Sequence, residues 1–255
     1  MIHMPSVSSF ASLGVMCVAF FAIAFAEHEA PASAADGTRL RANFGLGVAN
    51  GLLVFTLPVG TAAATLFAEK RGWGFLHAAD APWAAGALLL LLARSLSTYG
   101  LHRLSHVIPL LWRFHRVHHS DDHCDLSTSF RSHPIEALIV FPAAILVTAL
   151  VGPRIGQLLT VETLLLIIAM WEHGQIRSVP VVERCLGLVV ATPAQHRLHH
   201  SADPLHYDSN FGDGLILWDR LFGTYASPTE LAKYGVLDCP DGIGWRALMT
   251  QPFRH

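Results

Sequence analysis

Long apolar stretches at about 9–26, 44–68, 83–101 and 135–171 constrain this chain more than any other feature. The first three are close to the ~20 residues that an α-helix needs to cross a bilayer. Lipid offers the backbone no hydrogen-bond partners, so such stretches must fold as helices. The last is interrupted by Gly152-Pro153-Arg154, which reads as a tight turn inside a helical hairpin that dips into or crosses the membrane. Hydrophobic residues make up 52% of the chain and charged ones 14%, which argues against a soluble globule. No basic residue precedes the first run, and Ala26-Glu27-His28 is a poor cleavage context, so a retained helix is expected rather than a signal peptide. The expected fold is an all-α integral-membrane helical bundle, a single integrated domain over residues 1–255.

The polar blocks 102–134 and 172–255 lie between and after these runs. A full hairpin at 135–171 places both blocks on one side, as a helical cap. The first block carries Arg103, Arg113, Arg116 and Arg131; the second carries Arg177, Arg184, Arg197, Arg220 and Lys233. The excess of positive charge predicts that this cap faces the cytoplasm. Arg39 and Arg41 agree; Lys70 and Arg71 fall on the other side. A net charge of −2 offers no basic patch for nucleic acid.

The same blocks hold a repeated pattern. His-Arg-Val-His-His-Ser-Asp-Asp at 115–122 almost recurs as His-Arg-Leu-His-His-Ser-Ala-Asp at 196–203, and His102 and His106 form an HxxxH. Helical residues at i, i+3 and i+4 share a face. The spacing therefore points His115, His118 and His119 at one spot, and His196, His199 and His200 at another. With His102, His106 and His173 there are nine candidate ligands, more than the roughly six that one metal accepts, so two metals are expected. A purely structural role would bury many imidazoles without partners, which is costly. His3, His28, His77 and His255 read as ordinary surface or core residues, and His123 as part of a loop.

Cys17, Cys124, Cys185 and Cys239 form no CxxC, which suggests a reduced compartment and no thiolate site. Cys124 reads as a small buried hydrophobe. There is no dinucleotide fingerprint, P-loop or CxxCH. An imidazole site favours iron, copper, nickel or zinc over magnesium or calcium, and spacing leaves iron and zinc both open. A zinc-dependent membrane hydrolase needs fewer ligands and a general base, and the chain has no HExxH. A metal transporter would place ligands within its spanning helices, whereas these fall outside the apolar runs. A nitrogen-rich two-metal site enclosed by membrane points instead to oxygen activation.

At these residues the chain resembles the fatty acid hydroxylase/sterol desaturase superfamily of integral-membrane di-iron oxygenases, from about Arg39 to Tyr225. Tyr99-x-x-His102-Arg103-x-x-His106 resembles its first histidine box and Leu111-Trp112-x-Phe114-His115-x-x-His118-His119-Ser120 its second. Thr128-x-x-Arg131-x-His133-Pro134-x-Glu136 follows. Trp171-x-His173 resembles the intermediate histidine and Thr192-Pro193-x-x-His196-x-x-His199-His200 the third box. Asp208-x-Asn210-Phe211-Gly212 and Trp218-Asp219-Arg220-x-Phe222-Gly223-Thr224 resemble its closing motifs. Ser95 stands where many relatives carry an acid, and Gln195 where many carry a histidine.

The resemblance implies that His102, His106, His115, His118, His119, His173, His196, His199 and His200 hold two iron ions, with O2 as co-substrate. It implies hydroxylation of a lipid or sterol-like substrate, with desaturation as the alternative. With no redox domain in the chain, electrons would come from a separate ferredoxin or cytochrome b5-like donor and its reductase. His133 is expected at the start of the hairpin rather than as a ligand. Asp121, Asp122, Asp203, Asp208 and Glu136 are candidates to receive the outer N–H of ligand imidazoles. Arg94 is expected to snorkel to the interface, and Trp218, Phe222 and Tyr225 to anchor there.

Overall fold

The computed structural model describes residues 7–28, 36–57, 60–79, 81–177, 179–229, 233–239 and 243–254. His3 and His255 lie outside them. Its helices in chain order are α1 (Val7–His28), α2 (Gly37–Thr56), α3 (Thr61–Arg71), α4 (Phe75–Ala79), α5 (Trp83–Val107), α6 (Pro109–His119), α7 (Pro134–Val151) and α8 (Ile155–His173). Shorter helices follow: α9 (Pro180–Cys185), α10 (Pro193–His199), α11 (Pro204–Tyr207), α12 (Leu217–Phe222) and α13 (Trp245–Thr250). With 73% of the molecule helical and no strand among the described residues, the fold is all-α.

Among the described residues, five stretches are long and apolar enough to cross a membrane: Ala11–His28, Gly37–Ala79, Trp83–Val107, Pro134–Val151 and Ile155–His173. Their outer faces are inverted relative to a water-soluble protein. Val18, Phe21, Phe25, Leu52, Phe55 and Leu146 are all more than half exposed, as lipid-facing side chains are. The molecule is an integral-membrane helical bundle.

Local chemistry sets where the helices stop. The apolar run 44–68, expected as one helix, divides: α2 ends at Thr56 and α3 begins at Thr61. Leu57 is extended (φ −69°, ψ 133°), as the residue before a proline prefers. The break expected at Gly152 is present. Gly152 caps α7 in the left-handed region (φ 65°), and its α-carbon face lies so close to the Trp73 carbonyl that a Cβ would sit 2.5 Å from that oxygen.

One boundary changes the reading of the histidines. At 25 residues, α5 continues past the apolar run through His102 and His106 to Val107, and His173 is the last residue of α8. A helix of that length spans ~37 Å against the ~30 Å of hydrocarbon, so its final turns clear the apolar layer. These imidazoles therefore crown membrane helices rather than lying in a separate polar block. Ile108, held extended before Pro109 (φ −92°, ψ 114°), then turns the chain into α6.

Beneath the cap lies a buried polar network. The Arg39 guanidinium bonds Asp121 at 3.0 and 3.1 Å and pairs with Asp125, while Asn43 and Thr128 each donate to Asp121 at 2.8 Å. Arg131 donates to the Val117 and Ser120 carbonyls that end α6, at 2.9 and 3.1 Å, and to Asn43 at 2.8 Å. Arg39 and Arg131, counted above as topology charges, are thus internal, because neither has a route to solvent. Asp121, a candidate partner of a ligand imidazole, is instead committed to Arg39. Arg94 does not simply snorkel either: it pairs with Glu162 of α8 at 3.2 Å. Removing one member of a buried pair strands the other charge. Arg39→Met is expected to cost roughly 3–5 kcal/mol, and Arg39→Met/Asp121→Leu less than the sum of the two single changes. Thermal unfolding of detergent-purified variants measures both.

Candidate metal centre

Both HxxHH tracts end short helices whose starts are fixed locally. Pro109 opens α6. On α10, Thr192 and Gln195 exchange capping bonds and Pro193 takes the first helical position. Gln195 also donates to the Gly187 carbonyl at 2.8 Å, so this departure from the family pattern is absorbed by the helix cap.

The nine candidate imidazoles all converge, but not as the spacing alone suggests. They form two abutting groups, one of His102, His106, His115, His119 and His199, the other of His118, His173, His196 and His200. Within each group the candidate ligand atoms lie within 4.8 Å of one another. Each HxxHH is therefore divided: its i and i+4 imidazoles serve one group, its i+3 imidazole the other. The expectation of one spot per tract is corrected, because i+3 and i+4 sit on opposite flanks of the shared helix face and diverge at ring length. The groups touch where His119 stacks on His200, with ring centroids 4.6 Å apart.

The outer hydrogen bonds determine which nitrogen faces inward. Nδ1 of His102 donates to the Phe211 carbonyl (2.8 Å), of His199 to Ser209 (2.7 Å), of His118 to Arg131 (3.2 Å) and of His173 to Ala169 (2.7 Å). A carbonyl only accepts, so each Nδ1 carries the hydrogen. A neutral ring then presents a bare Nε2, and burial holds His118, His119, His196, His199 and His200 well below the usual imidazole range. Yet His102 and His199 bring Nε2 to Nε2 at 2.9 Å, and His118 and His173 do so at 3.2 Å. Two bare lone pairs at that distance repel. Imidazoles bonded to one ion at ~2.0–2.1 Å stand about 2.9–3.4 Å apart, so this spacing fits rings that could share a cation. The Nε2–Nε2 contacts His106–His119, His115–His119, His173–His196 and His196–His200, at 3.0–3.2 Å, repeat the spacing.

Two of the five candidate carboxylates hold imidazoles in place. Glu136 meets His115 Nδ1 at 2.6 Å and Asp208 meets His106 Nδ1 at 3.1 Å. Asp122 pairs with His123 instead, and Asp203 caps α11. Sequence reasoning missed Glu172, fully buried beside His173, whose carboxylate lies 4.0 Å from His196 Nδ1 and accepts from Gly214 N–H. An acid beside His173 at the end of a largely apolar helix was the available signal. Also missed was Asp219, which accepts from Phe211 and Gly212 N–H at 2.7 Å and so fixes the loop that presents the Phe211 carbonyl to His102.

Other candidates resolve simply. His133 caps α7 through Nδ1, and its Nε2 reaches the Met249 carbonyl at 3.3 Å, which leaves no nitrogen for a metal. Cys124 is buried, with Sγ on the His173 carbonyl, outside both groups. Trp218 donates to Ser95 and Phe222 stacks on Tyr99 at 5.4 Å, so both pack the late segment against α5; Arg220 lies over the Tyr225 ring. A cavity of about 370 Å³ opens beside the imidazoles, lined by His102, His115, His118, His173 and His196 together with residues of α2, α5 and α7.

A family model for fatty acid hydroxylase matches residues 87–224, more than half of the chain, and takes in every imidazole of both groups. The chain belongs to the fatty acid hydroxylase family. Within curated proteins it is 29% identical over 167 residues to an alkylglycerol monooxygenase of Danio rerio (64% of this chain, 36% of that one). It is 30% identical over 158 residues to that of Xenopus tropicalis (62% and 34%). It is 29% identical over 175 residues to an ornithine lipid hydroxylase of Rhizobium tropici (68% and 51%). The chain thus spans between about a third and a half of the length of these relatives. No solved structure matches.

For this fatty acid hydroxylase family member, the geometry separates candidate ligands from look-alikes. His118→Ala and His199→Ala are expected to lower retained metal sharply while membrane insertion persists. His133→Ala is expected to keep its metal and lose only the helix cap, about 1 kcal/mol. Metal analysis and thermal unfolding of purified protein check the contrast.

Proposed function

We propose that this chain is an O2-dependent di-iron oxygenase that hydroxylates a lipid. The observation that carries the reading is the pair of abutting imidazole groups, six of whose rings turn Nε2 inward, with five of the nine rings lining one cavity. Relatives whose printed names are alkylglycerol monooxygenase and ornithine lipid hydroxylase favour hydroxylation over desaturation and over zinc hydrolysis.

His102, His106, His115, His119 and His199 would hold one ion, and His118, His173, His196 and His200 the other. Iron in these positions would supply the redox chemistry that activates O2 for attack on an unactivated C–H bond. The protein's own part is positional. The carbonyls of Phe211, Ser209, Arg131 and Ala169, with Glu136 and Asp208, lock the ring tautomers. Trp218 and Ser95 tie α12 to α5 below His102. The cavity between α2, α5 and α7 would take an alkyl segment, exclude water and bring one carbon against both groups. Electrons would come from a separate ferredoxin or cytochrome b5-like donor with its reductase.

The cap would face the cytoplasm. Arg103, Arg113, Arg177, Arg184 and Arg220 still support that orientation after Arg39 and Arg131 are withdrawn as buried. We treat residues 1–255 as one integrated domain, since α5, α6, α8 and α10 all contribute to the centre.

Purified under reducing, iron-replete conditions, the protein is expected to hold about two irons per chain and to couple O2 uptake to a hydroxylated lipid when a donor is supplied. Stoichiometric zinc with no redox activity would overturn the reading. After replacement of the exposed Cys17 and Cys185, cysteines at positions 113 and 227 are expected to resist membrane-impermeant label in intact cells and to react once the cells are opened.

A further inference from the structure

A second cavity, of about 260 Å³, also reaches the imidazoles. Trp112, Arg116, His119, Tyr207, Leu237 and Asp238 lie along its wall, and it shares no lining residue with the first. It opens to solvent, since Leu237 is 71% exposed and the Asp238 side chain 70%. Trp112 packs its indole against three imidazoles of one group, with ring centroids 5.0 Å from His106, 5.5 Å from His119 and 6.3 Å from His115. Tyr207 lies nearly parallel to that indole, at 6.1 Å and 18°, and 6.3 Å from His106. Both rings are half-buried. Among the described residues no other tryptophan or tyrosine makes a ring contact with either group, and none lines the first cavity. Packing alone does not need an oxidisable ring: Phe211 fills that role against His102, His106 and His199 at 5.1–5.7 Å.

Tryptophan and tyrosine give up one electron more readily than phenylalanine, histidine or aliphatic side chains, and stacked rings in contact pass it on quickly. A centre that activates O2 for attack on a C–H bond generates an oxidant that also attacks its own imidazoles when no lipid is in place. We propose that Trp112 and Tyr207 drain that oxidant to the second cavity. Trp112 gives an electron to the centre and regains one from Tyr207, whose phenolic proton goes to water, leaving a neutral phenoxyl radical. A small thiol entering the cavity returns a hydrogen atom to Tyr207. Two passes deliver two electrons; with two protons from water, the oxidant's oxygen leaves as water, and the two sulfur radicals pair as one disulfide. The chain would thus carry a second, lipid-independent activity, the oxidation of thiols. In sum, O2, two electrons from the donor, two protons and two thiols give two waters and one disulfide.

This route rests on the di-iron oxygenase reading, and the two fail distinguishably. Iron-loaded protein in detergent is reduced with two electron equivalents of dithionite and mixed with O2, with no lipid added. Freeze-quench EPR reads protein radicals, and peptide mass spectrometry reads the oxidised side chains. Wild-type protein is expected to give a tyrosine radical, which glutathione quenches with formation of its disulfide. Tyr207→Phe is expected to abolish the tyrosine signal and to leave oxidised Trp112. Trp112→Phe is expected to lower the Tyr207 radical sharply. In both variants oxidation of His106 and His119, counted per O2 consumed, is expected to rise several-fold, with glutathione no longer protective. Counting per O2 keeps a poorly loaded variant readable, and phenylalanine retains the ring packing. O2 consumption with no radical or oxidation at Trp112 or Tyr207, or imidazole oxidation unchanged in both variants, would overturn the route and leave the oxygenase reading standing. Reduced protein that consumes no O2 would overturn the oxygenase reading and the route with it.

Discussion

The rest of the molecule depends on hydrogen bonds that point away from the centre. Four backbone carbonyls and two carboxylates take the Nδ1 hydrogens of six imidazoles and so turn their Nε2 lone pairs inward. Each of those acceptors must itself be held. The Arg131 carbonyl is placed because its own guanidinium clamps the end of α6. The Phe211 carbonyl is placed because Asp219 receives the neighbouring amides. Asn43 then braces Arg131 and is itself tied to Asp121 and Arg39. A chain of buried polar contacts thus runs from the start of α2 to the inward-facing nitrogens, in a medium where an unpaired polar group is costly.

Such an arrangement explains why the imidazoles are not a detached cap. Inward-facing lone pairs need stiff supports, and the continuous ends of α5 and α8 provide them for His102, His106 and His173. The shorter helices α6 and α10 add the divided HxxHH tracts. Dividing each tract lets one turn of helix serve both groups, and it couples them mechanically: a shift of α6 moves His115 and His119 in one and His118 in the other.

Much of this was legible in the sequence, for physical reasons that differ by element. Hydropathy marked the spanning helices because lipid leaves the backbone no alternative to helix. It misjudged 44–68, where extended backbone before a proline interrupts an otherwise apolar run. Histidine spacing identified the nine residues but not their partition, since the split depends on how α6 and α10 meet across the cluster. Glu136 and Asp208 were visible as acids near the motifs. Asp121 looked the same in one dimension and proved to be the counter-ion of Arg39, 82 residues away. The carbonyl acceptors were invisible, because every residue has one and only tertiary placement singles out Phe211, Ser209, Arg131 and Ala169.

The central claim is that the paired Nε2 atoms exist to enclose two ions. X-ray absorption at the metal edge of iron-loaded protein tests it most directly. The account predicts a nitrogen shell at about 2.0–2.2 Å with the outer-ring scattering of four to five imidazoles per ion and no sulfur. A shell dominated by oxygen, or one containing thiolate sulfur, would contradict it.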